Sequence, residues 1–315
     1  MPVNPDETNP VSRRVFVSMP ADGRLSYEQN ELKWGIVKRI STLGYIPEIF
    51  HPPSAKIDIN RLTSHTGWSP KELQRVLLRC SGTVIIGLTR WLAHSPVDGP
   101  DEKKLATEYT QYEAGVAYAL QLPTLYLAEK DLSRHGAFDR SAAQFITEIP
   151  DHADASWLNS QAFNQPFNAW VKTLKDRYDI FLAYSTVNEL KAGTVRDFLE
   201  INGVKVMDWQ KHFTAGDSIM HQIATASSKC ASGIFMFTDD DIIEGSSFKA
   251  APRDNVVFEA GYFASVKGDD RILIIKESSA KMPADLGGKI YVPMENGELS
   301  QSSKLRILTF LREQV

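Results

Sequence analysis

The run PRDNVVFEAGYF, residues Pro252 to Phe263, sets Glu259 directly after Val256, Val257 and Phe258 and shortly before Gly261. An ionised carboxylate in apolar surroundings costs free energy unless it is paired, hydrogen-bonded or put to use. Put to use in a site of low dielectric, a single carboxylate stabilises a developing positive charge or captures it covalently, much as one carboxylate does in glycosidases. A second glutamate has the same setting: TEYTQYEAGVAYAL carries Glu113, Ala114 and Gly115, the triplet that Glu259, Ala260 and Gly261 repeat. Each triplet is expected at the start of a helix. There a first-turn carboxylate also complements the helix dipole, worth about 0.3–1 kcal/mol.

Other constellations point less far. Asp239, Asp240 and Asp241 are consecutive, so their side chains alternate in direction and read as a solvated loop rather than a cation site. The seven histidines are scattered, and no serine lies in a G-x-S-x-G elbow. KGDDR and GGK are too loose for a phosphate loop. Cys80 and Cys230 read as buried thiols; two cysteines make no secreted-type disulfide framework, and no zinc-ligand spacing is present. No metal is expected.

The elements that must position the two glutamates are written twice. RRVFVSMP (Arg13 to Pro20) and YDIFLAYS (Tyr178 to Ser185) both read as buried strands opening into a loop. Helical periodicity follows each, with Leu32, Ile36, Ile40 and Leu43 on one face in the first copy and Leu190, Val195, Phe198 and Leu199 in the second. Gly44 and Gly203 stand where those helices would stop. Second strands come next, IPEIF (Ile46 to Phe50) and VKVMDW (Val204 to Trp209). LQRVLLRCSGTVIIGLT and HQIATASSKCASGIFMFT then each give helix, cysteine, small residues and an apolar strand. The glutamate helices follow, and then the strands PTLYLAE and RILIIKE. Alternating strands and helices imply parallel βαβ units. The expected fold is α/β: two tandem flavodoxin-like parallel-sheet domains. The first spans 13–150 and the second 176–315, with a disordered N-terminus over 1–12 and a connector over 151–175 whose tryptophans and phenylalanines imply packing against a domain rather than a free linker. Ligands of such sheets bind at the carboxyl ends of the strands, which is where the loops after Ser18 and Tyr184 and the two glutamate helices would converge.

Length and composition agree. The 315 residues are enough for two domains with cores of their own, and 43% hydrophobic with 23% charged residues is ordinary globular usage. A formal net charge of −4 gives no global basic excess that would argue for nucleic acid. The polar, proline-rich start lacks the apolar core of a secretory signal, and no run of 18 apolar residues occurs, so a cytoplasmic protein with no membrane partner is expected.

The second copy resembles the prokaryotic TIR-like domains of predicted nucleotide-binding and antiphage-defence proteins. The motifs that carry this are DIFLAYS, DWQKHFTAGDSI, TDDD, RDNVVFEAGYF, a glycine before RILII, and MPADLGGKIYV. The resemblance implies an NAD+ glycohydrolase in which Glu259 is catalytic. It places Tyr184 and Ser185, together with the loop carrying Trp209 and Asp217, around the nicotinamide and ribose. An aromatic face such as Tyr184 or Trp209 would stack on the pyridinium. Arg253 would meet the diphosphate, and Asn255 lies in the same motif. NAD+ is then a substrate, and no cofactor is needed. The first copy resembles nucleoside 2-deoxyribosyltransferase-like relatives through EAGVAYALQLPTLYL. It lacks the acidic-glycine-threonine element that precedes their nucleophile, LATEYTQY standing there instead. That favours a ligand-sensing role for Ser18 and Glu113, with a nucleotide second messenger as activator, and a homo-oligomer as the working form. The alternative is a catalytically silent nucleotide sensor or TIR-type interaction module in which Glu259 is structural.

Overall fold

The computed structural model describes residues 10–315 apart from 24, 55–56, 58, 60, 95–101, 140, 142–144, 214–215, 243–249 and 284–290. The chain divides into two compact units, Arg13–Asp176 and Arg177–Val315, the second also taking in the described residues before Arg13.

In the N-terminal unit the chain runs β1 (Arg14–Ser18), α1 (Tyr27–Thr42), β2 (Ile46–Phe50), β3 (Thr63–His65), α2 (Pro70–Leu78) and β4 (Cys80–Gly87). It continues through β5 (Trp91–His94), β6 (Glu102–Leu105), α3 (Glu108–Ala119), β7 (Thr124–Glu129), β8 (Ile146–Ile149) and α4 (Gln161–Lys175). The main sheet has the order β3-β2-β1-β4-β7-β8, and every pairing in it is parallel. β5 and β6 form a separate antiparallel hairpin.

The C-terminal unit repeats this plan with β9 (Tyr178–Ala183), α5 (Glu189–Ile201), β10 (Val206–Asp208), α6 (Trp209–His212), α7 (Ile219–Lys229) and β11 (Cys230–Phe237). β12 (Asp241–Ile242), β13 (Ala250–Ala251), α8 (Asp254–Lys267), β14 (Ile272–Glu277), β15 (Val292–Met294) and α9 (Gln301–Gln314) complete it. Its sheet order is β10-β9-β11-β14-β15, again wholly parallel. In both sheets the strand order reverses beside the first strand of the unit, and that reversal opens a crevice at the carboxyl edge.

Local chemistry explains the elements. Ser26 closes a capping box with Gln29 at the start of α1, and Ser69 with Pro70 opens α2. Gly44 and Gly203 follow the ends of α1 and α5 at φ 85° and 77°, a conformation costly for any residue with a Cβ. The central strands are buried on both faces, with Val84, Ile85 and Ile86 in β4 and Ile234, Phe235 and Met236 in β11 fully covered. Each such side chain contributes roughly 1.5–3 kcal/mol of hydrophobic stabilisation.

Packing then sets the phase of α8. Phe263 stacks on Phe181 of β9 with ring centroids 5.0 Å apart and meets Phe235 of β11 edge-on at 5.4 Å. Glu259 lies four residues earlier on the same helical face, about 6 Å along the axis. The aromatic cluster therefore turns the carboxylate toward the sheet.

Two expected boundaries change. The stretch 151–175, read as a connector, holds α4, whose Phe163, Phe167, Trp170 and Leu174 are buried in the core of the N-terminal unit. Its aromatic residues have more apolar surface than a linker can leave in water. Of the N-terminus expected to be disordered, residues 1–9 lie outside the described residues. Val11, however, is buried in the core of the C-terminal unit. Among the described residues no helix is long and apolar enough to cross a membrane.

Candidate functional site

β9 ends at Ala183 and hands the chain to Tyr184 and Ser185, both buried. Among the described residues the Ser185 hydroxyl has no hydrogen-bond partner, which a buried polar atom rarely tolerates without reason. Glu259 is 7% exposed, and no ion pair or hydrogen bond holds its carboxylate among the described residues. Burial alone pushes it up to about 7. It is the sixth residue of α8, in the second turn and not the first, so the helix dipole expected to support it has largely faded there. A desolvated carboxylate without a counter-charge is disposed to meet a cationic centre in a ligand.

Three residues expected to line the site have other work. The Tyr184 hydroxyl donates to Asp208 Oδ1 at 2.8 Å, and Arg196 pairs with the other Asp208 oxygen at 2.5 Å. Burial and the Asp208 carboxylate both raise the Tyr184 pKa. With 2% of its surface exposed, the Tyr184 ring is a core group and offers no face for stacking. Trp209, partly buried, donates from Nε1 to the Tyr184 carbonyl at 3.0 Å and packs edge-on against Phe213. Arg253 is exposed beside the start of α8, but its guanidinium contacts Asp241 at 3.2 Å and must leave it to reach a diphosphate. Asn255 is exposed in the first turn of α8. Asp217 is exposed and accepts from the Ser218 amide at 2.8 Å. Residues 214–215 of its loop, and most of the expected MPADLGGKIYV motif, lie outside the described residues.

Asp239 and Asp241 are exposed, as a solvated loop would have them, but all three aspartates are engaged and they diverge to different partners. Asp239 takes Lys191 at 2.8 Å, and Asp241 takes Arg253. Asp240 accepts from Asn188 Nδ2 at 2.6 Å, from the Thr238 hydroxyl at 3.1 Å and from the Arg253 amide at 3.0 Å. Lys191 also bridges to Glu277, the last residue of β14, at 2.7 Å. Asp239 and Glu277 share a hydrogen bond that, with Lys191, holds Asp239 near 2. Burial and the same bond push Glu277 up. Sequence reasoning missed Asn188, Lys191 and Glu277, and it gave Asp240 no role in the site.

Comparison of the two copies carries a signal that would have found some of them. Glu129 ends β7 as Glu277 ends β14, and Gln29 is the third residue of α1 as Lys191 is of α5. Gln29 Nε2 donates to Glu129, whose other oxygen accepts from the Thr89 amide. Neutral Gln29 and Thr89 thus stand where the C-terminal unit has the charges of Lys191 and Asp239. Arg90 stands where the second copy has Asp240, each ten residues beyond the corresponding cysteine, Cys80 or Cys230.

Ser18 and Glu113 have the same arrangement in the N-terminal unit. Glu113 is the sixth residue of α3, 5% exposed, and burial lifts it to about 7 against the opposing pull of Ser18 and Trp68. Trp68 Nε1 donates to it at 3.0 Å, while the Ser18 hydroxyl has no hydrogen bond of ordinary geometry. Glu113 borders a cavity of about 170 Å³ with Phe50, Arg90, Trp91 and Tyr109 on its walls. A cavity of about 360 Å³ lies farther along the same carboxyl edge, lined by Gln29, Thr89, Lys104, Glu129 and His152 among others.

Both units are thus doubly wound parallel α/β folds whose glutamate helix sets a buried carboxylate at the carboxyl edge, without an ion pair among the described residues. Residues 179–296, inside the C-terminal unit, match the family described as CAP12/Pycsar effector protein, TIR domain. The chain is similar to CD-NTase-associated protein 12 of Flavobacterium daejeonense, 41% identical over 83 residues that cover 26% of each chain. It is also similar to the protein of that name from a Lachnospiraceae bacterium, 36% identical over 78 residues and 24% of each chain. The similarity therefore spans about a quarter of the length of these relatives. Among solved structures, the TIR domain of the Toll-related receptor TRR-2 from Hydra magnipapillata aligns at 17% identity and TM-score 0.30, over 37% of this chain and 83% of that one.

Proposed function

We propose that the C-terminal unit is a TIR-type NAD+ glycohydrolase working as an effector in bacterial antiphage defence. The observation that carries this reading is Glu259, a buried carboxylate without a partner among the described residues, at the carboxyl edge of a domain similar to CAP12/Pycsar TIR domains. Cleavage breaks the bond between the nicotinamide nitrogen and C1′ of the ribose. Nicotinamide leaves neutral and needs no proton. Positive charge grows on C1′, and ionised Glu259 stabilises it at close range in a dry site. Water then adds at C1′, giving ADP-ribose and releasing one proton. The unpartnered Ser185 hydroxyl is free to bond the ribose, and Trp209 borders the same edge.

The names of the relatives join them to nucleotide-signalling enzymes, and on that basis a nucleotide second messenger is the proposed activator. The N-terminal unit is its proposed receptor through the Glu113 cavity, and a homo-oligomer is the active form. The test incubates the full-length protein with NAD+, alone and with nucleoside monophosphates, cyclic mononucleotides and cyclic dinucleotides, and measures free nicotinamide. Release that disappears in Glu259→Gln supports the reading. No release under any of these conditions, from protein shown to bind one of the nucleotides, overturns it in favour of a silent sensor.

A further inference from the structure

Asn188 occupies the N-cap of α5, where an asparagine side chain ordinarily accepts from the first free helix amides. Here it makes no such cap, and its Nδ2 instead donates to Asp240 at 2.6 Å. The start of α8 is equally irregular. Its N-cap is Arg253, which offers no side-chain acceptor, and the Arg253 amide is held by Asp240 at 3.0 Å. Thr238, buried at the end of β11, donates to both Asp240 oxygens at 3.1 Å and fixes the carboxylate. One side chain thus ties together the turn after β9, the end of β11 and the first residue of the α8 segment.

Those connections matter because of what each element carries. The turn Ser185–Asn188 begins with the buried, unpartnered Ser185 hydroxyl, and the Asn188 amide bonds back to the Ser185 carbonyl at 2.8 Å. α8 carries Glu259 less than two turns beyond Arg253. Ser185 and Glu259 belong to different loops of the carboxyl edge, and their relative placement depends on whatever joins those loops. In the N-terminal unit the equivalent position is Arg90, which has no carboxylate to offer, so the clamp is peculiar to the second copy.

We infer that Asp240 is the positioning residue of the C-terminal site, clamping the Ser185–Asn188 turn to the head of α8 so that Glu259 and Ser185 face one bound ribose. The inference rests on the glycohydrolase reading for its catalytic consequence and on the hydrogen bonds alone for its structural one. Asp240 acts through the turn and the helix that it joins, and a misplacement of the reacting groups by about 1 Å costs on the order of 10²-fold in rate.

The decisive experiment exchanges the pair. Asp240→Asn keeps one acceptor oxygen and turns the other into an NH2 donor, so it serves Asn188 Nδ2 or the Arg253 amide but not both, and Asn188→Asp sets two carboxylates 2.6 Å apart where one bond was. The double exchange, Asn188→Asp with Asp240→Asn, restores one donor and one acceptor and keeps an oxygen for the Arg253 amide. Each single variant should lose kcat for nicotinamide release by about 10- to 100-fold with KM little changed, and the double variant should recover most of it. Amide exchange over 185–189 and 253–257, measured without ligand, should quicken in both single variants and return toward wild type in the double. Single variants with wild-type kcat, or a double variant no better than the worse single, would overturn the catalytic role. Unchanged exchange in the single variants would overturn the clamp itself. A wild-type protein that releases no nicotinamide would count against the glycohydrolase reading, and the exchange experiment would still decide the clamp.

Discussion

Replacing Glu259 by glutamine should make the C-terminal unit relatively more stable as pH rises. In the folded protein the carboxyl titrates near 7 against an ordinary value of 4.5. The native state therefore holds its proton more tightly than the unfolded chain between those values. The stability tied to that proton is complete below pH 4.5 and is lost as pH rises through 7. A displacement of about 2.5 units, at about 1.4 kcal/mol each, amounts to roughly 3 kcal/mol between the two limits. Glutamine has no charge to desolvate, although its buried amide, short of partners, costs about 1–3 kcal/mol at every pH. Near pH 5 the variant should thus be the less stable protein, and near pH 8 the two should be equal or reversed in order. Hydrogen exchange of β9 and β11 peptides across a denaturant series isolates this unit from its neighbour. A stability difference that stays flat from pH 5 to pH 8 would refute the claim that Glu259 sits desolvated and unpaired. The same substitution should lower nicotinamide release by about 10²-fold or more.

Nicotinamide release by the wild type should rise with pH and inflect near 7, because the ionised form of Glu259 is the one that stabilises the cation; a rate independent of pH from 6 to 8 would contradict this. Tyr184→Phe removes a buried donor from Asp208 and should cost about 1–2 kcal/mol in chemical denaturation. A raised KM for NAD+ without any loss of stability would return Tyr184 to the substrate site. Glu113→Gln should leave the cleavage chemistry intact while altering its response to nucleotides, and hydrolysis of nucleosides by the N-terminal unit that this variant abolished would show catalysis there. Specific activity should fall on dilution if assembly completes the site, as the exposed Ile219 and Met220 at the start of α7 suggest; light scattering on the same samples checks it, and constant activity from a monomer would refute it.

How much of this was written in the sequence can be followed along individual residues. The β-branched runs ending at Ser18 and Ser185, the helix stops at Gly44 and Gly203 and the repeated Glu-Ala-Gly triplet were all legible, because each depends on local preference and on periodicity. Alternation of strands and helices then constrained both sheets to be parallel, and parallel sheets bring their strand ends to one edge. Burial of Glu259 was legible too, since Val256, Ala260 and Phe263 share its helical face. What the sequence does not carry is the partner of each polar group. Tyr184 looked like a stacking face and is a core group bonded to Asp208; the three aspartates looked like one solvated run, and although Asp239 and Asp241 are exposed, each of the three takes its own set of partners. Hydrogen-bond partners such as Asn188 and Asp240 stand 52 residues apart, and nothing local marks either for the other. Their pairing follows from strand order, which sets β9 parallel to β11 and brings the loops after the two strands together. Composition and pattern therefore determined the layers and the edge where a ligand would sit. Tertiary packing alone decided which side chains at that edge are free to meet it, because that depends on distances of a few ångströms between segments remote along the chain.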